Sequence, residues 1–380
     1  MKYCKTCKEY LSSDFRFCPY CGFELDSANS NETDFPTKVK LPVKTKEKLY
    51  DLAEKYYYGI GVKKNLEKAF YWYMKAAEQN YDKGQYKVGL MYHNGEGVEE
   101  DYGEAFDWYM KAAKQNYIDA QYAIGEAYGY GKGIVADLAK SFFWYMKAAK
   151  QGHSKAQFAV AEMYFNGEGT YQNSEEAFSW AKKSAEQGFD EAQYWLGYFY
   201  YHETYYADSY IKAFACFEEA AKQGHIKAQF MVAEMLSKGE GVEVDLEEAF
   251  AWYMKAAKHN YAEAQYKVGD AYNLGIGVDE NHKQAFIWYM KAAKQDYTDA
   301  QYEIGYMYYN GVGIVSNFEK AFYWYMKAAE QDHASAQYEI GRMYYNGIGA
   351  VKNLKKGIFW CKQAAKNGNR EAKVFLNNVK

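Results

Sequence analysis

Four cysteines stand within the first 21 residues, as Cys4-x2-Cys7 and Cys18-x2-Cys21 with ten residues between the pairs. A CxxC segment turns tightly enough to aim both sulfurs at one point. Two such turns supply the four-thiolate tetrahedral shell that Zn2+ takes in structural sites. A piece this short buries too little apolar surface to fold unaided, so metal binding, worth ~10–16 kcal/mol in small zinc modules, would be its folding energy. The competing chemistries are a redox dithiol, which needs a βαβ context missing here, and disulfides, which fit poorly with a cytosolic start. Zinc is the expectation, and a structural one, because four thiolates leave no open position for a reactive water.

The segments Tyr3-Cys4-Lys5-Thr6-Cys7 and Phe17-Cys18-Pro19-Tyr20-Cys21-Gly22 resemble the short zinc ribbons found at the N-termini of many bacterial proteins. The second knuckle has the CPxCG form of that family, while Lys8 stands where its first knuckle has glycine. Residues 1–25 are therefore expected to form a zinc ribbon holding Zn2+ through Cys4, Cys7, Cys18 and Cys21. From 26 to 46 the composition turns to Ser, Asn, Thr and Lys with Pro36 and Pro42, which reads as a flexible linker.

No other residues assemble an obvious active site. His153, His225 and His333 occupy one recurring turn where other units place Tyr or Phe, and His93, His202, His259 and His282 lie in unlike positions. Ser-x-x-Lys occurs as Ser179–Lys182 and Ser209–Lys212, without the Ser-Asp-Asn and Lys-Thr-Gly that accompany it in β-lactamases. The net charge is −4, and arginine appears only at 16, 342 and 370. That argues against a nucleic-acid-binding stripe over the body of the chain. No stretch approaches the ~20 apolar residues of a membrane helix, and the N-terminus has no apolar signal core. A cytoplasmic protein is expected.

What must position any site is a repeat. Tryptophan recurs every 36 residues at Trp72, Trp108, Trp144, Trp180, Trp252, Trp288, Trp324 and Trp360, with Cys216 holding the missing beat. A fixed period of this length marks an array of small units that are stable only when stacked. After Pro42 there is no proline, so helix is permitted throughout. Ala120, Ile124, Ala127 and Tyr128 share one face of a first helix; Ala69, Trp72, Tyr73, Ala76 and Ala77 share one face of a second. Between the two sits Gly-x-Gly, a helix cap and turn rather than a phosphate loop. Glycine or alanine recurs mid-way along the first helix, as at Gly89, Gly125 and Ala161. It predicts close approach of the partner helix, with the tryptophan filling the space between units.

The runs AQYxxGxxYxxGxGV and KAFxWYMKAAxQ resemble Sel1-like repeats, relatives of the tetratricopeptide repeat. The resemblance implies an all-α, right-handed α/α solenoid over 47–380, with nine repeats and a C-terminal capping helix. It further implies a non-enzymatic scaffold, frequently in bacterial signalling, envelope or host-interaction pathways. A few secreted relatives are assigned penicillin binding or β-lactamase activity, and some carry a disulfide in each repeat. Here Cys216 and Cys361 are alone in their units.

On the first helix, positions 3 and 7 of each unit are expected on the face opposite the core, as a concave, tyrosine-rich surface for a protein or peptide. The residues are Tyr86, Tyr122, Glu126, Glu162, Tyr194, Tyr198, Glu234, Tyr266, Asp270, Tyr302, Tyr306 and Tyr338. Tyrosine offers large contact area at low entropy cost, and the carboxylates favour basic partners. A monomer with an unnamed protein partner is the leading reading. The alternatives are a β-lactamase-like hydrolase, or zinc-ribbon-mediated association with nucleic acid or a membrane complex through Lys2, Lys5, Lys8 and Arg16.

Overall fold

A computed structural model of the chain describes residues 2–4, 9–11, 45–202 and 208–378. The cysteines at 7, 18 and 21, the side chain of Cys4, most of the 26–46 linker and the turn at 203–207 lie outside the described residues. Two short strands, β1 (Lys2–Cys4) and β2 (Glu9–Leu11), pair antiparallel with Tyr3 opposite Tyr10. All other described elements are helices. They fall into two compact units, Met1–Trp180 and Ala181–Lys380.

The first unit stacks α1 (Lys46–Tyr58), α2 (Leu66–Glu78), α3 (Asp82–Asn94), α4 (Tyr102–Lys114), α5 (Ile118–Tyr130), α6 (Leu138–Lys150) and α7 (Ser154–Asn166) in sequence order. The division between the units falls inside α8 (Ser174–Glu186). The second unit continues in the same way. It runs through α9 (Asp190–His202), α10 (Ser209–Lys222), α11 (Ile226–Lys238), α12 (Leu246–Lys258), α13 (Ala262–Leu274) and α14 (His282–Ala293). It then continues with α15 (Thr298–Asn310), α16 (Phe318–Glu330), α17 (Ala334–Asn346), α18 (Leu354–Lys366) and α19 (Arg370–Asn378). Odd-numbered helices up to α17 are the first helix of a repeat and even-numbered ones the second; α19 covers the last hairpin, with Ala372 buried and the Phe375 ring 5.1 Å from that of Tyr345.

Local chemistry sets the helix ends. Except at α10, where Asp208 makes no such bond, the second helix of a repeat starts at an Asn or Asp whose side chain accepts free backbone N–H groups: Asp101 Oδ1 takes Gly103 at 2.8 Å and Glu104 at 3.0 Å. Such a cap contributes about 1 kcal/mol. Outside the fifth repeat, whose sequence lacks Gly-x-Gly, the first helix ends at the first glycine of that motif; Gly95 has φ 67°, and its N–H reaches the Met91 carbonyl. The second glycine has another duty. At Gly97 a β-carbon would fall into the backbone of Leu66, the first residue of the preceding second helix. Gly61, in the first repeat, has no preceding repeat and meets nothing within 4 Å.

The core is built from alanine pairs and aromatic rings. Around the first hairpin, Ala53, Ala69, Tyr73, Ala76 and Val88 are fully buried. The mid-helix glycine does mark close approach, but the ring it admits is not the tryptophan. A β-carbon on Gly125 would lie 2.5 Å from Tyr145, and one on Gly197 would lie 2.7 Å from Phe217, each ring being one residue beyond the tryptophan position. The tryptophan turns the other way, onto the preceding repeat: Trp108 packs on the cluster of Leu49, Ala53 and Val88. Successive residues on a helix point about 100° apart, so Trp and Tyr divide the two seams between them.

Candidate functional site

In several repeats position 3 of the first helix places a half-buried ring between two aromatic neighbours. In the first unit, Tyr86 lies 5.6 Å from Tyr109 and 5.1 Å from Tyr117, and Tyr122 lies 5.5 Å from Tyr145 and stacks on His153 at 4.6 Å. In the second unit, Tyr194 stacks on His225 at 4.5 Å, Tyr266 lies 5.2 Å from Tyr297, and Tyr302 stacks on His333 at 4.7 Å. In these pairs the far neighbour is the residue just before the first helix of the next repeat. These rings are therefore tied into inter-repeat packing and lie closer to the core than their spacing suggests. The most open of the anticipated tyrosines are Tyr198 and Tyr306, 50% and 45% exposed. Tyr338 sits 6.3 Å from Phe375 of α19.

The histidines at the repeat openings have a second job. Nδ1 of His153, His225 and His333 accepts the N–H of Ala156, Ala228 and Ala336 at 3.0–3.1 Å, capping the following helix. This bond needs a neutral ring. Burial holds the pKa of His153 and His333 below the ordinary histidine value against the pull of Asp119 and Asp299.

Position 7 carboxylates turn partly inward. Tyr73 donates its hydroxyl to Glu54, Tyr253 to Glu234 at 2.5 Å, and Tyr289 to Asp270 at 2.7 Å. Glu126 instead accepts from Tyr122, four residues before it, at 3.0 Å; Glu162 is exposed. Across the seam, position 7 of one repeat faces position 4 of the next. Lys87 approaches Glu54 at 3.6 Å and Lys267 approaches Glu234 at 3.2 Å. Burial pushes Glu234 up, but the hydrogen bonds from Lys238 and Tyr253 and the charge of Lys267 outweigh it and hold the carboxyl below its usual range. One seam on, position 4 is Glu303. Burial, Asp270 and Asp299 together push it up to about 7, and burial raises Asp270 as well.

A cavity of about 260 Å³ opens in the first unit, walled by Tyr86, Tyr109, Tyr122 and Tyr130 over Leu90 and Ala123, with Glu126 at its edge. Another, of about 190 Å³, lies in the second unit beside Tyr253, Lys267 and Asp270. Of the anticipated residues, Tyr86, Tyr122 and Glu126 line the first cavity and Asp270 the second; the others line neither. Ser179, by contrast, is exposed on α8. Among the described residues no group of three or more His, Cys, Asp or Glu side chains could hold a metal ion, and no helix is long and apolar enough to cross a membrane.

The Sel1 repeat profile matches nine consecutive segments: 49–81, 82–117, 118–153, 154–189, 190–225, 226–261, 262–297, 298–333 and 334–369. The chain belongs to the Sel1 repeat family. Its fold is correspondingly an all-α solenoid of tandem repeats. Among solved structures it is similar to a protective antigen of uropathogenic Escherichia coli strains displaying an SLR fold, at 33% identity and TM-score 0.76, over 88% of this chain and 72% of that one. It is also similar to a Sel1 repeat protein from Oxalobacter formigenes, at 29% identity and TM-score 0.60, over 91% of this chain and 98% of that one. No curated protein matches at a significant level.

In this Sel1 array one feature escaped the sequence reading although it is written in the motif. The glutamine of AQY is buried, and its Oε1 accepts from the glutamine that ends the second helix: Gln85 from Gln115, Gln121 from Gln151 and Gln193 from Gln223 at 2.7 Å, Gln265 from Gln295 at 2.8 Å. Its Nε2 in turn donates to the end of the preceding second helix, as Gln85 does to the Ala77 carbonyl at 3.4 Å. The recurrent spacing of 30 between two glutamines was the available signal. In the sixth repeat His259 replaces the donor, and Gln229 Oε1 is buried without a hydrogen-bond partner.

Proposed function

We propose that this Sel1 repeat protein is a non-enzymatic scaffold that holds a protein or peptide along the tyrosine-rich face of its first helices. The observation that carries the reading is the ordered row of half-buried position-3 rings, joined by the exposed Tyr198 and Tyr306. Rings fixed by their neighbours lose little further freedom on binding. The carboxylate of Glu126, beside these rings, suits a partner with basic side chains. Replacing Tyr194, Tyr266 and Tyr302 would also disturb the packing between repeats, so the discriminating positions are the open ones. A photo-crosslinking residue at 198 or 306, in the native cell, should capture a discrete partner, whereas one at the exposed Tyr323 on the second-helix side should not. Equal capture from all three positions would reject the face.

Residues 1–25 are proposed as a zinc ribbon serving as a second interaction module, joined through the 26–46 linker to the solenoid over 47–380. The antiparallel pairing of Lys2–Cys4 with Glu9–Leu11 supports it, because that hairpin brackets the Cys4–Cys7 knuckle. Bound zinc would be held by Cys4, Cys7, Cys18 and Cys21 and would supply a crosslink, not a reaction. A cytoplasmic location fits Cys216 and Cys361, both free thiols that burial pushes up to about 11 and so keeps unreactive.

A further inference from the structure

We infer that the cavity between the second and third repeats is a receptor for one lysine or arginine side chain of the partner. The inference rests on the first-helix face being the binding face, and names what that face recognises at one point.

The evidence is an internal comparison within the first unit. At the first seam the array supplies its own ligand: Lys87 reaches across to Glu54 at 3.6 Å, with its ammonium 5.4 Å from the Tyr57 ring and 6.0 Å from those of Tyr58 and Tyr73. That is a cation seated among aromatic faces with a carboxylate beside it, an arrangement in which quadrupole and charge both attract. At the second seam the equivalent residues, 36 positions on, are Leu90 for Glu54 and Ala123 for Lys87. The lysine stem and head have gone, and a cavity of about 260 Å³ stands there. Of the three rings around Lys87, Tyr73 is kept as Tyr109, while His93 and Asn94 stand for Tyr57 and Tyr58; Tyr86, Tyr122 and Tyr130 complete an aromatic wall of the cavity's own. A carboxylate is also present, now Glu126 on the facing helix. Glu126 takes one hydrogen bond, from Tyr122, and among the described residues no cation stands within 4.0 Å of it. Its own cross-seam position is Ala159, so the next repeat provides no lysine either.

Two further ionisable groups line the cavity besides His93. Asp119 faces His153 Nε2 at 3.6 Å, and Lys132 lies 5.9 Å from the Tyr102 ring. The balance stays acidic. Leu90 and Ala123 give the floor for an aliphatic stem, the tyrosines flank it, and Glu126 meets the cationic head. An uncharged aliphatic side chain would satisfy the floor but not the carboxylate.

The test uses the full chain with labelled leucine methyls, titrated with the N-acetyl amides of lysine, arginine and norleucine. The two cationic probes should shift the Leu90 methyl signals saturably and bind about tenfold more tightly than norleucine, the discrimination expected of a partly desolvated charge pair. Glu126→Gln should erase that preference. Leu90→Glu with Ala123→Lys rebuilds the first-seam pair and should abolish binding while helicity is retained. Norleucine binding as tightly as lysine, no response at Leu90 to any probe, or undiminished binding in the rebuilt double variant would each overturn the inference. Crosslinking at 198 and 306 reads the face independently. Partner capture there without a Leu90 response rejects the basic-side-chain pocket alone, and loss of both rejects the face.

Discussion

The ring of Tyr109 occupies the space that a side chain on Gly89 would need: a β-carbon there would stand 2.6 Å from the ring and 3.1 Å from the Ala105 carbonyl. Gly89 is an ordinary helical residue of α3, so its smallness serves the neighbour and not its own backbone. In isolation Gly→Ala in a helix gains about 1 kcal/mol. Gly89→Ala is instead expected to destabilise by about 1–3 kcal/mol through overpacking. In a Tyr109→Leu background the same change should cost less or become favourable. Urea unfolding of the four proteins of this cycle measures the coupling, and additive effects would refute the ring-on-glycine contact.

The glutamine ladder makes a prediction of the opposite sign. His259→Gln restores the donor that Gln229 lacks and should stabilise by about 0.5–1.5 kcal/mol. Gln295→His, which breaks the equivalent bond to Gln265, should destabilise by about 1–3 kcal/mol. Thermal unfolding of the two variants checks the pair.

Glu303 ties stability to pH. Its carboxyl is held at about 7 in the folded chain, against 4.5 in its absence, so ionisation costs the folded state more than the unfolded one. The protein therefore loses stability as pH rises from 4.5 through 7. Glu303→Lys recreates the pairing seen at Lys267–Glu234, now with Asp270. A gain of about 1–2 kcal/mol is expected at pH 8, with little gain at pH 4.5. A gain independent of pH would contradict this account.

His153 and His333 act in the other direction. Their folded pKa values lie below 6.5, so their contribution is full above 6.5 and is lost as pH falls through the lowered value. His153→Asn keeps an acceptor for Ala156 without a titrating ring. The variant should hold its melting temperature better than the parent between pH 7 and 5, as differential scanning calorimetry would record.

For the N-terminal segment, one zinc per chain is expected by elemental analysis, lost on Cys18→Ser. The helical circular dichroism of the repeats should be unaffected, because among the described residues their buried core begins at Leu49. Zinc-free purified protein with all four cysteines reduced would sink the ribbon.

Much of this molecule was legible from spacing. The 36-residue beat, the glycine caps and the alanine pairs specify hairpins stacked in order, because each reports on residues of one helix or one turn. The partners of those residues were less legible. Trp108 and Tyr109 are adjacent and both aromatic; sequence says that both are buried, not which ring meets Gly89 and which turns to Leu49. The position-7 acids look solvent-facing on a helical wheel, yet the Tyr253 hydroxyl reaches Glu234 from a different helix. Nor does a wheel show a cavity, since the space above Ala123 exists only relative to the Lys87 that fills it one repeat earlier.

The joint at Gly97 is made main chain to main chain, and the residues met by its counterparts at 133, 169, 241, 277, 313 and 349 are Tyr102, Leu138, Tyr210, Leu246, His282 and Phe318. Because no side chain is matched there, the coupling accepts any neighbour of the same build. This joint therefore places no restriction on which module follows which; array length is free to vary as far as it is concerned, and order is constrained instead by side-chain pairs at the seams such as Lys87 with Glu54.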